Sequence, residues 1–175
     1  MDEQTKSVIA ECQRQEESCL YTSTALFEWL KSLRMWRTVF VVAPIVLGGI
    51  AAWPLLKQQT GYELLTGLCA LLAGVIPSIY KALDFDVSLE RVGEHAHKFK
   101  VLQDRFRQTW RVLPDENADF LKTTFDNLMD RMDDARAASL TPPERFFKRA
   151  RKKIEKGDYS FAVDAVSEPP PAKSS

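Results

Sequence analysis

Two long apolar runs, each free of charge, sit in the first half of the chain with amphipathic segments on both sides. Val39 to Leu56 (VFVVAPIVLGGIAAWPLL) carries no charge over 18 positions between Arg37 and Lys57, and Leu64 to Tyr80 (LLTGLCALLAGVIPSIY) carries none over 17 positions between Glu63 and Lys81. A helix needs about 20 residues to cross a hydrocarbon core, with about 17 at the lower limit, so each run predicts a membrane-spanning helix. The connection Lys57 to Glu63 (KQQTGYE) is seven residues long and contains a Gly. It suffices for a tight turn, which makes the two helices antiparallel neighbours.

Outside the runs the pattern changes to the three-four spacing of helices with one apolar face. Ile9, Cys12, Cys19, Leu26, Leu30 and Leu33 form the first stripe, interrupted by Glu16 and Ser23. Leu89, Val92, Ala96, Phe99, Phe106, Trp110 and Leu113 form the second, with Gln103 its one polar member, and Pro114 ends that helix. Ala118, Leu121, Phe125, Leu128, Met132 and Ala135 form a third, with Asp115 and Glu116 favourably placed at its start. These stripes predict a helical bundle or an oligomeric coiled coil. Thr141-Pro142-Pro143 opens a last short helix, proline being tolerated in a first turn, and Gly157 is its natural stop. The end, SEPPPAKSS, has the composition of a disordered tail.

Aromatic and charged residues orient the runs. Trp36, Trp53, Tyr62 and Tyr80 lie near their ends, where amphipathic rings favour the membrane interface. Gly48, Gly49, Gly67, Gly74, Pro44, Pro54 and Pro77 suit membrane helices better than soluble ones. The alternative is a helical hairpin buried in a soluble protein, which has few other apolar residues to cover it. Lys31, Arg34 and Arg37 precede the first run and Lys81, Arg91, Lys98 and Lys100 follow the second, whereas the connection holds only Lys57. The positive-inside rule then puts both termini in the cytoplasm of a multi-pass protein. The expected organisation is all-α: a cytoplasmic amphipathic helix over 1–35, a transmembrane hairpin over 36–81, a cytoplasmic helical region over 82–157 and a disordered tail over 158–175.

Composition adds little. Lys+Arg and Asp+Glu both number 24, so there is no basic signature of a nucleic-acid binder. Three cysteines without a C-x-x-C spacing argue against a disulfide framework or zinc site and fit a reducing compartment. Cys12 and Cys19 share a helix face, which reads as apolar packing ahead of redox sensing. The polar segment ahead of Val39 is too long for the charged region of a signal peptide, so the first run belongs to the mature protein.

Candidate chemistry is sparse. No phosphate-binding glycine loop, G-x-S-x-G or H-E-x-x-H motif occurs, and His95 and His97 face different directions on one helix. No catalytic residue, metal ligand or cofactor is expected, and enzymatic function is not. Neither run contains an acidic residue for a proton relay. The runs do offer small residues at helix-contact spacing, Gly48 with Ala52 and Ala70 with Gly74. Pro44, Pro54 and Pro77 either kink the helices or free carbonyls toward a pore, and Gly49, Thr66 and Ser78 complete the candidate pore-lining or helix-packing set. Such a pore needs several copies, hence a homo-oligomer. Between Arg145 and Lys156 seven of twelve residues are basic. Arg145, Lys148, Arg149, Arg151, Lys152 and Lys153 are candidates for anionic lipid headgroups. In the alternative, Phe146 and Ile154 dock the helix on the bundle.

Trp36-Arg37 entering the first run, the short turn, a second run ending PSIYKAL and a long helix containing EHAHKFKVLQDRFRQTW resemble the SLATT family, two-transmembrane effector domains associated with bacterial nucleotide-signalling and SLOG sensor systems. The resemblance covers Ser7 to Gly157. It implies a bacterial inner-membrane effector of an anti-phage conflict system, opening or disrupting the bilayer on a nucleotide signal, with a nucleotide-synthesising or nucleotide-sensing protein as partner. A non-conducting membrane anchor that recruits a cytoplasmic partner is the rival expectation.

Overall fold

Helix-favouring composition without a breaker between Leu33 and Val39 lets the first amphipathic stripe run directly into the first apolar run. In the computed structural model, which describes residues 3–56, 61–112, 118–138 and 140–158, the two form one helix, α1 (Glu3–Leu56), of 54 residues. At a rise of about 1.5 Å per residue it is about 80 Å long. It passes without interruption through the boundary expected at residue 35. Pro44 and Pro54 lie inside it. Then come α2 (Glu63–Ala82), α3 (Phe85–Val112), α4 (Ala118–Ala138) and α5 (Glu144–Glu155). All regular structure among the described residues is helical, so the fold is all-α, and α1 and α2 each contain a stretch long and apolar enough to cross a membrane.

Alpha1 is the spine. Its second half pairs with α2, antiparallel: the ring of Phe40 lies 6.1 Å from that of Tyr80, and Trp53 and Pro54 border one cleft with Tyr62 and Leu65 at the other end. Its first half pairs with α3 in the same sense, through Leu30 beside Gly93, Phe27 edge-on to His97 at 5.3 Å, and Glu16 beside Trp110. The corner between α2 and α3 takes two residues. Asp84 there has φ +44°, a left-handed conformation that Asp tolerates better than most side chains, and its N–H donates to the Lys81 carbonyl at 3.3 Å. In the connection between the apolar runs, Gly61 adopts φ +100°. Residues 57–60 of that connection lie outside the described part, as do Leu113, Pro114, Asp115, Glu116 and the tail from residue 159.

Alpha4 folds back onto α3 and α1 to close the bundle. Cys12, Cys19, Leu26, Leu30, Val92, Ala96, Phe99, Phe106, Leu128, Met132 and Ala135 make its core, with Leu102 among them and Leu33, Leu89, Trp110 and Phe125 packed at its margin. The three expected stripes are thus the inward faces. The two interruptions of the first stripe are accommodated by hydrogen bonds. Ser23 Oγ donates to the Leu20 carbonyl at 3.2 Å, while the Glu16 carboxylate accepts the indole N–H of Trp110 at 2.5 Å and faces Arg107 at 3.8 Å. A charged acceptor reached by a half-buried donor satisfies both groups, so a polar residue in this stripe costs little.

The last helix opens at its prolines, with Pro143 at the N-cap and not inside the first turn, and Phe146 N–H bonds back to the Pro143 carbonyl at 2.9 Å. Gly157 ends it as expected. With φ +85° it sets up paired bonds, Asp158 N–H to Lys153 O at 3.2 Å and Gly157 N–H to Ile154 O at 3.0 Å, the two-bond closure of a Schellman motif. Phe146 and Ala150 are fully buried, Phe146 stacks on Trp29 at 6.5 Å, and Lys153 Nζ meets Glu28 at 2.6 Å. The helix is docked on α1.

Burial pushes the thiols of Cys12 and Cys19 from the ordinary 9.0 up to about 11 and about 12; Glu11 adds to the first, and for the second Arg136 opposes the rise. An unfolded thiol ionises near pH 9 while these stay protonated, so the stability they contribute is intact below pH 9 and drains away as pH rises toward 11 to 12. Iodoacetamide at pH 8 is expected to leave both unmodified in the folded chain and to alkylate both after denaturation, read by peptide mass.

Candidate membrane-facing site

The pair formed by the apolar runs closes on few residues. Among the described side chains Ala51 and Cys69 are its only buried members, at 7% exposure each, with Phe40, Ala43, Pro44, Leu47, Gly48 and Pro54 of α1 and Thr66, Ala73, Ile76 and Tyr80 of α2 half-buried around them. This is again a three-four stripe on each helix. The other described side chains of the two runs are exposed. In the most apolar 18-residue window of each helix only 6% is buried, Ile45 is 71% exposed, and Val46, Leu68, Leu71 and Val75 are exposed as well. Neither run is therefore the buried core of this chain, which removes the soluble-hairpin alternative for the chain taken by itself. An apolar surface of this size with no protein over it needs lipid or other copies to cover it.

The candidate small residues divide. Pro44, Gly48, Pro54 and Thr66 border the α1/α2 contact, whereas Gly49, Ala52, Ala70, Gly74, Pro77 and Ser78 are exposed. A Cβ added at Gly48, Gly49, Gly67 or Gly74 would meet no atom within 4 Å. Ala52, Ala70 and Gly74 consequently do not join α1 to α2, while Gly48 borders that contact with space left beside it. Toward the loop end, Gly49 and Pro54 leave a cleft of about 520 Å³ walled by Val46, Ile50, Trp53, Tyr62 and Leu65. Two helices in contact enclose no water path.

Where the apolar runs meet the bundle, three helices are tied together. Arg37 Nε lies 3.1 Å from Asp86 Oδ1, and Tyr80 Oη donates to the same oxygen at 2.7 Å. Phe85 packs on Phe40 at 5.4 Å and on Tyr80 at 5.7 Å, while Trp36 covers Phe40 at 6.1 Å. One carboxylate at the start of α3 thereby holds α1 and the end of α2. This knot escaped the sequence reading, although opposite charges just outside the adjoining ends of two antiparallel runs, Arg37 and Asp86, are a signal for it.

Of the basic candidates on α5, Arg145, Lys148, Arg149, Arg151 and Lys152 are exposed, and Lys153 is half-buried in its pair with Glu28. His97 is exposed, while His95 is buried with its Nδ1 lacking a partner among the described residues. Among the described residues no three His, Cys, Asp or Glu side chains gather as a metal site would require. No family model, no curated protein and no solved structure matches this chain.

Proposed function

We propose that the chain is a bacterial inner-membrane effector whose two apolar helices cross the bilayer as a hairpin and assemble with other copies into a pore or a membrane-disrupting patch, controlled by the cytoplasmic bundle. The observation that carries this reading is the outward, uncovered apolar surface of α1 beyond Arg37 and of α2, where glycines leave open notches. Small residues on the outside of a membrane helix let backbones approach closely, so the notched faces suit contact between copies. Water can be enclosed only by several hairpins. The SLATT resemblance supplies the biological setting, a conflict system triggered by a nucleotide signal, with both termini cytoplasmic and a nucleotide-synthesising or nucleotide-sensing protein as partner.

Expression in bacteria with a membrane-potential dye tests it. Depolarisation is expected on activation, and Gly48→Leu with Gly74→Leu is expected to abolish it while the protein stays in the carbonate-washed membrane pellet. A Cβ at either position meets no atom within 4 Å of the same copy, and Gly74 is exposed, so its exchange in particular reports on contact between copies. Potential unchanged under every induction and ligand condition overturns the reading.

A non-conducting anchor is the second reading, favoured by a groove of about 730 Å³ between α3 and α4, lined by Glu94, His97, Lys98, Val101, Arg105 and Arg131 among others, which suits a cytoplasmic partner. An anchor retains its recruiting activity in the leucine variant and never depolarises the cell.

A further inference from the structure

Alpha5 carries its charges in separate stripes. At about 100° per residue, positions three and four apart share a face. Phe146, Ala150 and Lys153 form the face docked on α1. Directly opposite, Glu144 pairs with Lys148 at 2.8 Å and Arg151 with Glu155 at 2.7 Å, so that face is neutral. The flank between them holds Arg145, Arg149, Lys152 and Lys156 at spacings of four, three and four, all exposed and with no carboxylate on any of them among the described residues. Arg145 and Arg149 are held in place by the Phe146 ring, their guanidinium carbons 4.8 and 5.7 Å from its centre.

We propose that this flank, Arg145, Arg149, Lys152 and Lys156, binds the phosphate-bearing headgroups of anionic lipid in the membrane the chain itself occupies. The inference rests on the membrane reading above. Three observations select lipid as the occupant. First, the apolar face that an interfacial helix would insert is already spent on docking through Phe146 and Ala150, which leaves electrostatic attraction as the mode of engagement. Second, the chain also places Lys31 and Arg34 just ahead of the first apolar run and Lys81 just after the second, so the flank's positive charge has the same sign as the charge bordering the runs. Third, the distance fits. Alpha5 docks at Glu28 and Trp29, ten residues before Val39, which is about 15 Å along α1. A headgroup layer of about 5 to 8 Å covers roughly half of that distance, and long basic side chains reach into the remainder.

The test uses the full chain labelled with a fluorophore at Asp158→Cys, just past the helix. Cys12 and Cys19 are buried and Cys69 lies in the membrane pair, so the exposed position takes the label. The protein is reconstituted in phosphatidylcholine vesicles or in vesicles rich in phosphatidylglycerol, each with a headgroup-attached quencher. Stronger quenching in the phosphatidylglycerol vesicles, falling as salt is raised, is expected. Each cation removed from the flank lowers the engaged-to-free ratio about fivefold. Arg149→Gln with Lys152→Gln therefore loses most of the quenching, while Lys148→Gln with Arg151→Gln, which removes equal charge from the neutral face, retains it.

Equal quenching in both lipids, or equal loss in the two variants, overturns the proposal. Quenching that is equal in both lipids while added oligonucleotide binds the flank assigns it to nucleic acid and overturns it too. A chain that stays in the aqueous fraction refutes the membrane reading itself, an outcome distinct from a chain that inserts and shows no lipid preference.

Discussion

Arginine at both Val46 and Leu71 is expected to release the chain from the membrane. Both side chains are exposed, at 53% and 63%, and both lie near the middle of their apolar runs. For a water-soluble surface such exchanges stay within about 0.5 kcal/mol, because arginine is at home where valine and leucine were exposed. At the centre of a membrane helix each arginine costs about 2.5 to 3.5 kcal/mol, and the pair lie on different helices with no carboxylate in either run to offset them. Together they amount to about 5 to 7 kcal/mol, a drop of more than a thousandfold in partitioning. Carbonate washing and sedimentation read the outcome directly. The same pair improving solubility without altering sedimentation would mean that the exposed apolar surface serves something other than lipid.

The second large effect belongs to the bundle. Phe106 has no exposed surface, packs 6.3 Å from Phe125 and belongs to the core that unites α1, α3 and α4. Truncation to alanine is expected to cost about 3 to 5 kcal/mol, a large share of the stability of a small domain. Limited proteolysis should then cut between α3 and α4 at far lower denaturant than in the parent chain. Membrane retention should be unchanged, because neither apolar run touches this core. If retention were lost with the protease protection, the bundle and the apolar pair would have to fold as one unit.

What the sequence disclosed follows from the range of each signal. Periodicity is a local property, so the inward faces of α3 and α4, from Val92 to Ala135, were legible once Gln103 was admitted to the stripe. Gly157 was legible because the left-handed stop it provides depends on one residue. Glu16 read as a flaw in the first stripe, since its partner Trp110 stands 94 positions away. Lys153 read as one more lipid-facing cation for the same reason, its acceptor Glu28 being 125 positions away. Small residues in the apolar runs were recognisable, but spacing alone could not tell that Ala51 and Cys69 close the pair while Gly74 and Ala70 face outward. Both sets repeat every three or four residues, and only the partner helix decides between them.

A spine without a joint has a further implication. Since α1 enters both the bundle and the apolar pair as one helix, the angular phase of the two parts is locked residue by residue. One amino acid inserted near Trp36 would turn the Pro44 and Ala51 face by about 100° relative to Leu26 and Leu30, whereas seven would restore it to within about 20° and merely lengthen the shaft by about 10 Å. On the other side Asp84 breaks the helix between α2 and α3, so the end of α2 is fixed to the bundle by the side chains of Arg37, Tyr80 and Asp86 and not by a continuous helical backbone. A rotation of the bundle would therefore reach the first apolar run through the backbone of α1, and α2 only through side-chain contacts.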